Sequence, residues 1–250
     1  MEVKLLASTP HAEELICLGA RNDYMANWVG DAEFEEAMKG VKGESITEKK
    51  KTLMTHLMKH GHWGPFEHPS FTFAVSGISR SCMAQITRHR LASFDVQSMR
   101  YVKFDMEDGQ EPDDLCISIP EMTDSGICGR SAKFTDYWAK ADKEDILNKR
   151  QELYWESIES SYKTYNELLK LGVAPENARM VLPIGTKINL VVSLNLRSLL
   201  HIVDMRGEAD AQWEIREMTN EMIDLAQQEC PITFDIFMDK MKGRKNRLAP

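Results

Sequence analysis

The spacing of apolar residues changes period several times along the chain, and each change marks an expected element. Val3 to Ala7 predicts a short strand. Thr9-Pro10 opens a helix, with Thr9 as N-cap and Pro10 at the first helical position, ending near Gly19 to Asn22. Residues 23 to 45 hold Gly30, Gly40 and Gly43 with weak periodicity, and read as a loop with a helical turn or two. Ser45 and Glu48 make a capping box for a helix with Ile46, Leu53, Met54, Leu57 and Met58 on one face, stopping at His60-Gly61. After a turn-rich loop to Pro69, Ser70 to Val75 alternates as a half-buried strand. Ser79 caps a helix carrying Cys82, Met83 and Ile86 inward and running on into Arg88. On that continuing helix Gln85, Arg88 and His89 share a face and Arg90 points away. Gln97 to Phe104 reads as extended chain.

Leu115 to Ile119 predicts a strand ended by Pro120. Lys143 to Leu171 predicts one long amphipathic helix, with Ile146, Leu153, Tyr154, Ile158, Tyr165, Leu168 and Leu169 buried, ended by Gly172. Pro175 starts a short helix holding Arg179, and Pro183 closes it. Thr186 to Leu194 is β-rich, and Asn195 caps a helix through Leu199 and Val203 to about Met205, broken by Gly207. Asp210 caps a last long helix reaching Cys230-Pro231. No repeat or linker divides the chain, so residues 1–250 are expected to form one domain. Its variable parts are the loops 23–45 and 105–114 and the frayed basic tail 242–250.

A chain of 250 residues with 42% hydrophobic and 28% charged content is an ordinary globular protein. Its formal charge of −8 argues against a general nucleic-acid binder. No run is long and apolar enough for a signal peptide or a membrane span, and the five scattered cysteines suggest neither disulfides nor zinc. A reduced, cytoplasmic setting without membrane or nucleic-acid partners is expected. Within this acidic chain, Arg80, Arg88, Arg90 and Arg100 face only Asp95, a positive island that calls for an anion.

Dinucleotide-binding glycine turns, P-loops, zinc-protease and nucleophile-elbow motifs are all absent. His60, His62 and His68 have a workable metal spacing, but no carboxylate cluster or cysteine accompanies them, and ordinary hydrogen bonding is the simpler reading; no metal is expected. Arg88-His89-Arg90 could be a solvated basic run. Flanking Ile86 and Leu91, with Ser93, Gln97 and Ser98 beyond, favour anion binding by arginine forks and hydroxyls. Asn195, Arg197, His201 and Arg206 form a second cluster, for which simple helix-end stabilisation is the alternative.

Arg88-His89-Arg90-x-x-Ser93-x-x-x-x-Ser98-x-Arg100 resembles the signature of the flavin-dependent thymidylate synthases. His60-Gly61-His62, Pro65-Phe66-Glu67-His68, Ala178-Arg179, Asn195-x-Arg197-Ser198-Leu199, Met205-Arg206 and Gln212-Trp213-Glu214-Ile215 resemble further segments of that family. The resemblance implies an α+β fold with an antiparallel sheet flanked by long helices, assembled as a homotetramer with sites at subunit interfaces. It implies reductive methylation of dUMP to dTMP, with 5,10-methylenetetrahydrofolate as carbon donor, NADPH-reduced FAD as hydride source and no cysteine nucleophile.

By that resemblance His62, Glu67, Arg88, His89, Arg90, Asn195, Arg197 and His201 line the flavin site. Gln85, Ser98, Met99, Arg100 and Arg179 hold the nucleotide. Arg206 is the catalytic group, a cation at the uracil ring where negative charge develops. Val96 stands where many members carry a nucleotide-contacting glutamate or glutamine, with Gln97 as substitute; Asp210 and Asp23 replace flavin-contacting residues of some members. A non-catalytic sensor keeping the same pocket is the alternative from another class.

Overall fold

The computed structural model describes residues 1–107, 109–119, 143–207 and 211–241. Strands β1 (Glu2–Ser8), β2 (Ser70–Ser79), β3 (Ala92–Val96) and β4 (Lys187–Asn195) form one sheet in the order β1-β2-β4-β3. The helices among the described residues are α1 (Ala12–Asn22), α2 (Phe34–Ala37), α3 (Ile46–His60), α4 (Arg80–Ile86), α5 (Pro112–Leu115), α6 (Lys143–Lys170), α7 (Pro175–Ala178), α8 (Leu196–Arg206), α9 (Trp213–Glu229) and α10 (Pro231–Met241). The fold is α+β.

Side-chain bonds fix the register of the two central strands. Thr72 Oγ1 and Ser193 Oγ lie 2.9 Å apart, and Ser76 Oγ donates to Asn189 Oδ1 at 2.8 Å. Numbers rise along β2 as they fall along β4, so the pair is antiparallel. Phe71, Phe73 and Val75 point inward by alternation, but the next inward residue is Ile78. The break falls at Ser76-Gly77, where Gly77 adopts φ 71° and its N–H joins Ser76 on the same Asn189 oxygen, at 3.2 Å. Two residues opposite one make a bulge, and the left-handed backbone there suits glycine.

The chain gathers into two compact units, one of Met1–Val75, Gln85–Asp95 and Leu190–Pro250, the other of Ser76–Ala84 and Val96–Asn189. In the first, α9 packs on β1, α3 packs between α1 and α10, and α8 packs on α9. Buried Glu13 accepts hydrogen bonds from Thr233 N at 2.9 Å and Thr233 Oγ1 at 3.3 Å, tying α1 to α10; burial raises its pKa. In the second unit, Cys116, Ile158 and Tyr162 form a buried cluster lined by Met106, Leu115, Tyr154, Trp155 and Leu182. The Tyr162 hydroxyl donates to Thr186 Oγ1 (3.1 Å) and lies 3.3 Å from Leu115 O, while Thr186 Oγ1 donates to Pro183 O at 2.7 Å.

The caps expected at Ser45 and Asn195 form: Ser45 Oγ accepts from Glu48 N, and Asn195 Oδ1 accepts from Ser198 N. Others move. Thr9 does not cap α1; its N–H and hydroxyl bond Ser70 and lengthen the β1–β2 ladder, so the cap falls on His11 at φ 52°. The helix α4 stops at Ile86 instead of running into Arg88, because the chain must turn to enter β3. Gln97 to Phe104 is not extended: Val102 N bonds Ser98 O at 3.0 Å across a turn. The strand expected at Leu115–Ile119 shrinks to a single bridge, Cys116 to Thr186. Leu153, placed on the buried side of α6, is 56% exposed, and the side chains this helix buries fully include Tyr162, which was not among those expected on that face. Gln212 caps α9 through Ile215 N; Asp210, the expected cap, lies outside the described residues, as do Pro120 and the basic tail. Helix α10 carries no strong sequence signal and was not expected.

Candidate active site

The first unit brings two distant segments onto one cavity of about 400 Å³. The turn after α4 supplies Arg88, His89 and Arg90. The helix α8, its first turn fixed by the Asn195 cap, supplies Arg197, Ser198, His201 and Asp204; Trp63, Leu91, Leu200 and Phe237 give the apolar part of the lining. The size is that of a small-molecule pocket. Among the described residues no acid pairs with Arg88 or Arg90. Arg197 forms an ion pair with Glu67. Glu67, Asn195 and Ser93 line a second recess of about 410 Å³, which Arg90 and Leu91 also reach.

His89 is the electrostatic pivot of this group. Burial first, then the charges of Arg206, His201 and Arg88, lower its pKa from 6.5 to about 4, so it is neutral at physiological pH. Arg206 Nε donates to His89 Nε2 at 3.1 Å, which leaves the ring proton on Nδ1. The edge of one ring meets the other between His89 and His201, with centroids 5.6 Å apart. Ser198 Oγ, His201 Nδ1 and both Asp204 oxygens are buried without a hydrogen-bond partner among the described residues. Such orphaned groups beside unpaired arginines suit a polar, partly anionic ligand, and the donor and acceptor set fits a flavin dinucleotide.

His62 is exposed and does not line this cavity; its ring lies near His60 and His56, with centroids 6.3 and 6.5 Å away. Gln85 accepts the Arg88 N–H through its backbone oxygen at 3.4 Å. Among the described residues, no group of three or more His, Cys, Asp or Glu side chains is placed to hold a metal ion.

The second unit holds the other candidates. Arg100 Nε donates to Glu176 Oε2 at 2.8 Å, and Arg179 Nε donates to Glu176 O at 3.0 Å, so one acidic residue anchors two guanidinium groups. Ser98 Oγ accepts from Arg100 N at 3.2 Å, and Met99 is buried beneath the turn. Arg80, at the start of α4, has its pKa lowered by burial and then by the charge of Arg179. Three arginines with one acidic partner suit a dianion. Gln97, next to Val96, accepts from Asn189 N through its Oε1 at 3.1 Å.

Sequence reading gave no site role to Trp63, Ser198, Asp204 or Phe237 in the cavity; Arg80 was counted in the positive island, but its place beside Arg179 was not foreseen. Ser198, His201 and Asp204 recur every third residue, a spacing that could have flagged them. Phe237 gave no signal, since α10 itself was not foreseen.

In this α+β fold, a cavity lined by arginines, histidines and apolar side chains is suited to an anionic organic ligand. A family profile described as thymidylate synthase complementing protein matches residues 4–232. Flavin-dependent thymidylate synthases from Haloarcula marismortui and Halobacterium salinarum are 54% and 51% identical to this chain over the full length of both partners. The enzyme of the same name from Thermosipho africanus is 36% identical over 81% of this chain and 85% of its own. The chain therefore belongs to the thymidylate synthase complementing protein family, the flavin-dependent thymidylate synthases. Its fold matches the crystal structure of a UMP/dUMP methylase, PolB, from Streptomyces cacaoi bound with 5-Br dUMP (TM-score 0.70, 24% identity, 95% of this chain and 94% of the other).

Proposed function

We propose that this protein is a flavin-dependent thymidylate synthase, acting through a single functional domain of residues 1–250. It converts dUMP to dTMP with 5,10-methylenetetrahydrofolate as carbon donor and NADPH as reductant. The transferred methylene carbon needs two more electrons to become a methyl group. The balanced reaction therefore consumes one NADPH and one proton and releases tetrahydrofolate and NADP. Bound FAD supplies the hydride.

Arg88, His89, Arg90, Arg197 and His201 hold the cofactor in the cavity of the first unit, with Glu67 and Asn195 at the adjoining recess; His62, which lies outside this cavity, meets the flavin of a neighbouring subunit. Ser98, Met99, Arg100 and Arg179, with Gln85 and Arg80, hold the nucleotide and its dianionic phosphate. Arg206 stabilises negative charge on the pyrimidine, oriented by the neutral His89. The described cysteines support a route without a thiolate nucleophile. Cys17, Cys82, Cys116 and Cys230 are buried, and burial pushes the Cys17, Cys116 and Cys230 thiols up to about 12, 11 and 12. The working form is a cytoplasmic homotetramer with sites shared between subunits.

The observation that carries this reading is the convergence of the Arg88-His89-Arg90 turn and the Asn195-x-Arg197 helix start on one cavity. The test is thymidylate formation from dUMP with FAD, NADPH and the folate, each omitted in turn. Flavin-loaded protein that NADPH bleaches but that forms no thymidylate would sink the proposal. Arg206→Ala should retain flavin and lose turnover.

A further inference from the structure

Asp204 is 1% exposed, and neither of its carboxylate oxygens meets a hydrogen-bond donor among the described residues. Its position is unfavourable twice over. Burial strips the carboxylate of hydration, and the last turn of α8 places it at the negative end of the helix dipole. Selection for stability alone would not keep an acid there.

His201, one turn earlier, has a buried Nδ1 without a partner, and Ser198, a turn before that, has a buried Oγ in the same condition. All three residues line the cavity that also takes Arg88, Arg90 and Arg197. Unsatisfied buried polar groups are rare, and three in succession along one helix beside one cavity need a ligand that brings its own donors. The arginines attract the anionic part of such a ligand, whereas Asp204 repels it. A neutral part carrying hydroxyl or ring N–H groups is what satisfies the acid.

We propose that Asp204 is a cofactor-binding residue that accepts hydrogen bonds from hydroxyl or ring N–H groups of the flavin dinucleotide, while the arginines hold its phosphates. This rests on the flavin reading above. The ligand relieves a penalty that the free protein bears, so Asp204 trades stability of the cofactor-free state for affinity.

Two variants test it, with thermal unfolding of the cofactor-free protein and titration with oxidised FAD as readouts, neither needing turnover. Asp204→Leu should unfold at a higher temperature than wild type without cofactor, yet bind FAD at least about tenfold more weakly. Asp204→Asn keeps the shape and one acceptor, and should hold FAD within a few-fold of wild type. Wild-type affinity in Asp204→Leu would overturn the proposal. So would a lower unfolding temperature for its cofactor-free form, since the acid would then be paired within the protein or its assembly. Failure of the wild-type protein itself to bind FAD would instead reject the flavin reading.

Discussion

Replacing His89 by glutamine should flatten the acid side of the stability profile. The unfolded chain takes up a proton at His89 as pH falls below 6.5, whereas the folded protein resists until about 4. The unfolded state thus binds more protons in that window. The contribution of His89 to stability is fully present above pH 6.5 and is lost as pH falls through the folded pKa. At about 1.4 kcal/mol for each tenfold change, the interval corresponds to about 3.4 kcal/mol. The ring is only partly buried, and screening by water reduces this to about 1.5 kcal/mol. Glutamine can still accept the Arg206 Nε–H but takes up no proton. Urea unfolding of the cofactor-free wild type and His89→Gln, between about pH 7 and pH 4.5, gives the comparison. The wild type should lose about 1.5 kcal/mol more than the variant. Parallel profiles would refute the burial and charge argument for a neutral His89.

Glu13 titrates in the opposite sense: burial raises its pKa above 4.5, so its contribution falls as pH rises through that window, and Glu13→Gln should remove this slope in the same experiment. Tyr162→Phe deletes the hydroxyl bond to Thr186 and should cost about 1 kcal/mol, a melting shift of roughly 2–4 °C; an unchanged melting temperature would contradict the bonding described. Arg80→Ala should raise KM for dUMP roughly tenfold or more with FAD content intact, measured by steady-state kinetics and flavin absorbance. Alanine at Cys17, Cys82, Cys116 or Cys230, one at a time, should leave kcat of the folded enzyme within about twofold, because the proposed route uses no enzyme thiolate; a large loss in any one would reopen the nucleophile question.

Local chemistry was the most readable part of the sequence. The Ser45–Glu48 box and the Asn195 cap need only residues a turn apart, and both were placed correctly. The edge strand β3 was not foreseen, because none of its residues is fully buried and no apolar alternation marks it. Its position decides where α4 ends, so the wrong helical face assigned to Arg88 and His89 followed from the missed strand. Thr9 shows the same competition: a good cap by type, it is taken by a strand partner sixty-one residues away. The arginines were legible because a positive island in an acidic chain is unusual. Asp204 was not, since an isolated acid on a helix is ordinarily a solvated one, and only the packing around α8 shows otherwise.

Ser79 and Asn195 each serve as the last residue of a strand and the cap of the helix that follows, with no residue to spare between. Inserting or deleting a single residue at either junction would turn the whole helix by about 100° and shift it by about 1.5 Å. At Asn195 such a change would swing Arg197, His201 and Asp204 off the cavity together, however well the altered helix formed. Side-chain substitutions at these junctions test capping alone, whereas a change of length tests the active site. Changes of length are expected to be tolerated better in stretches such as residues 23–45, between α1 and α3, where no strand-to-helix junction sets the position of a site residue.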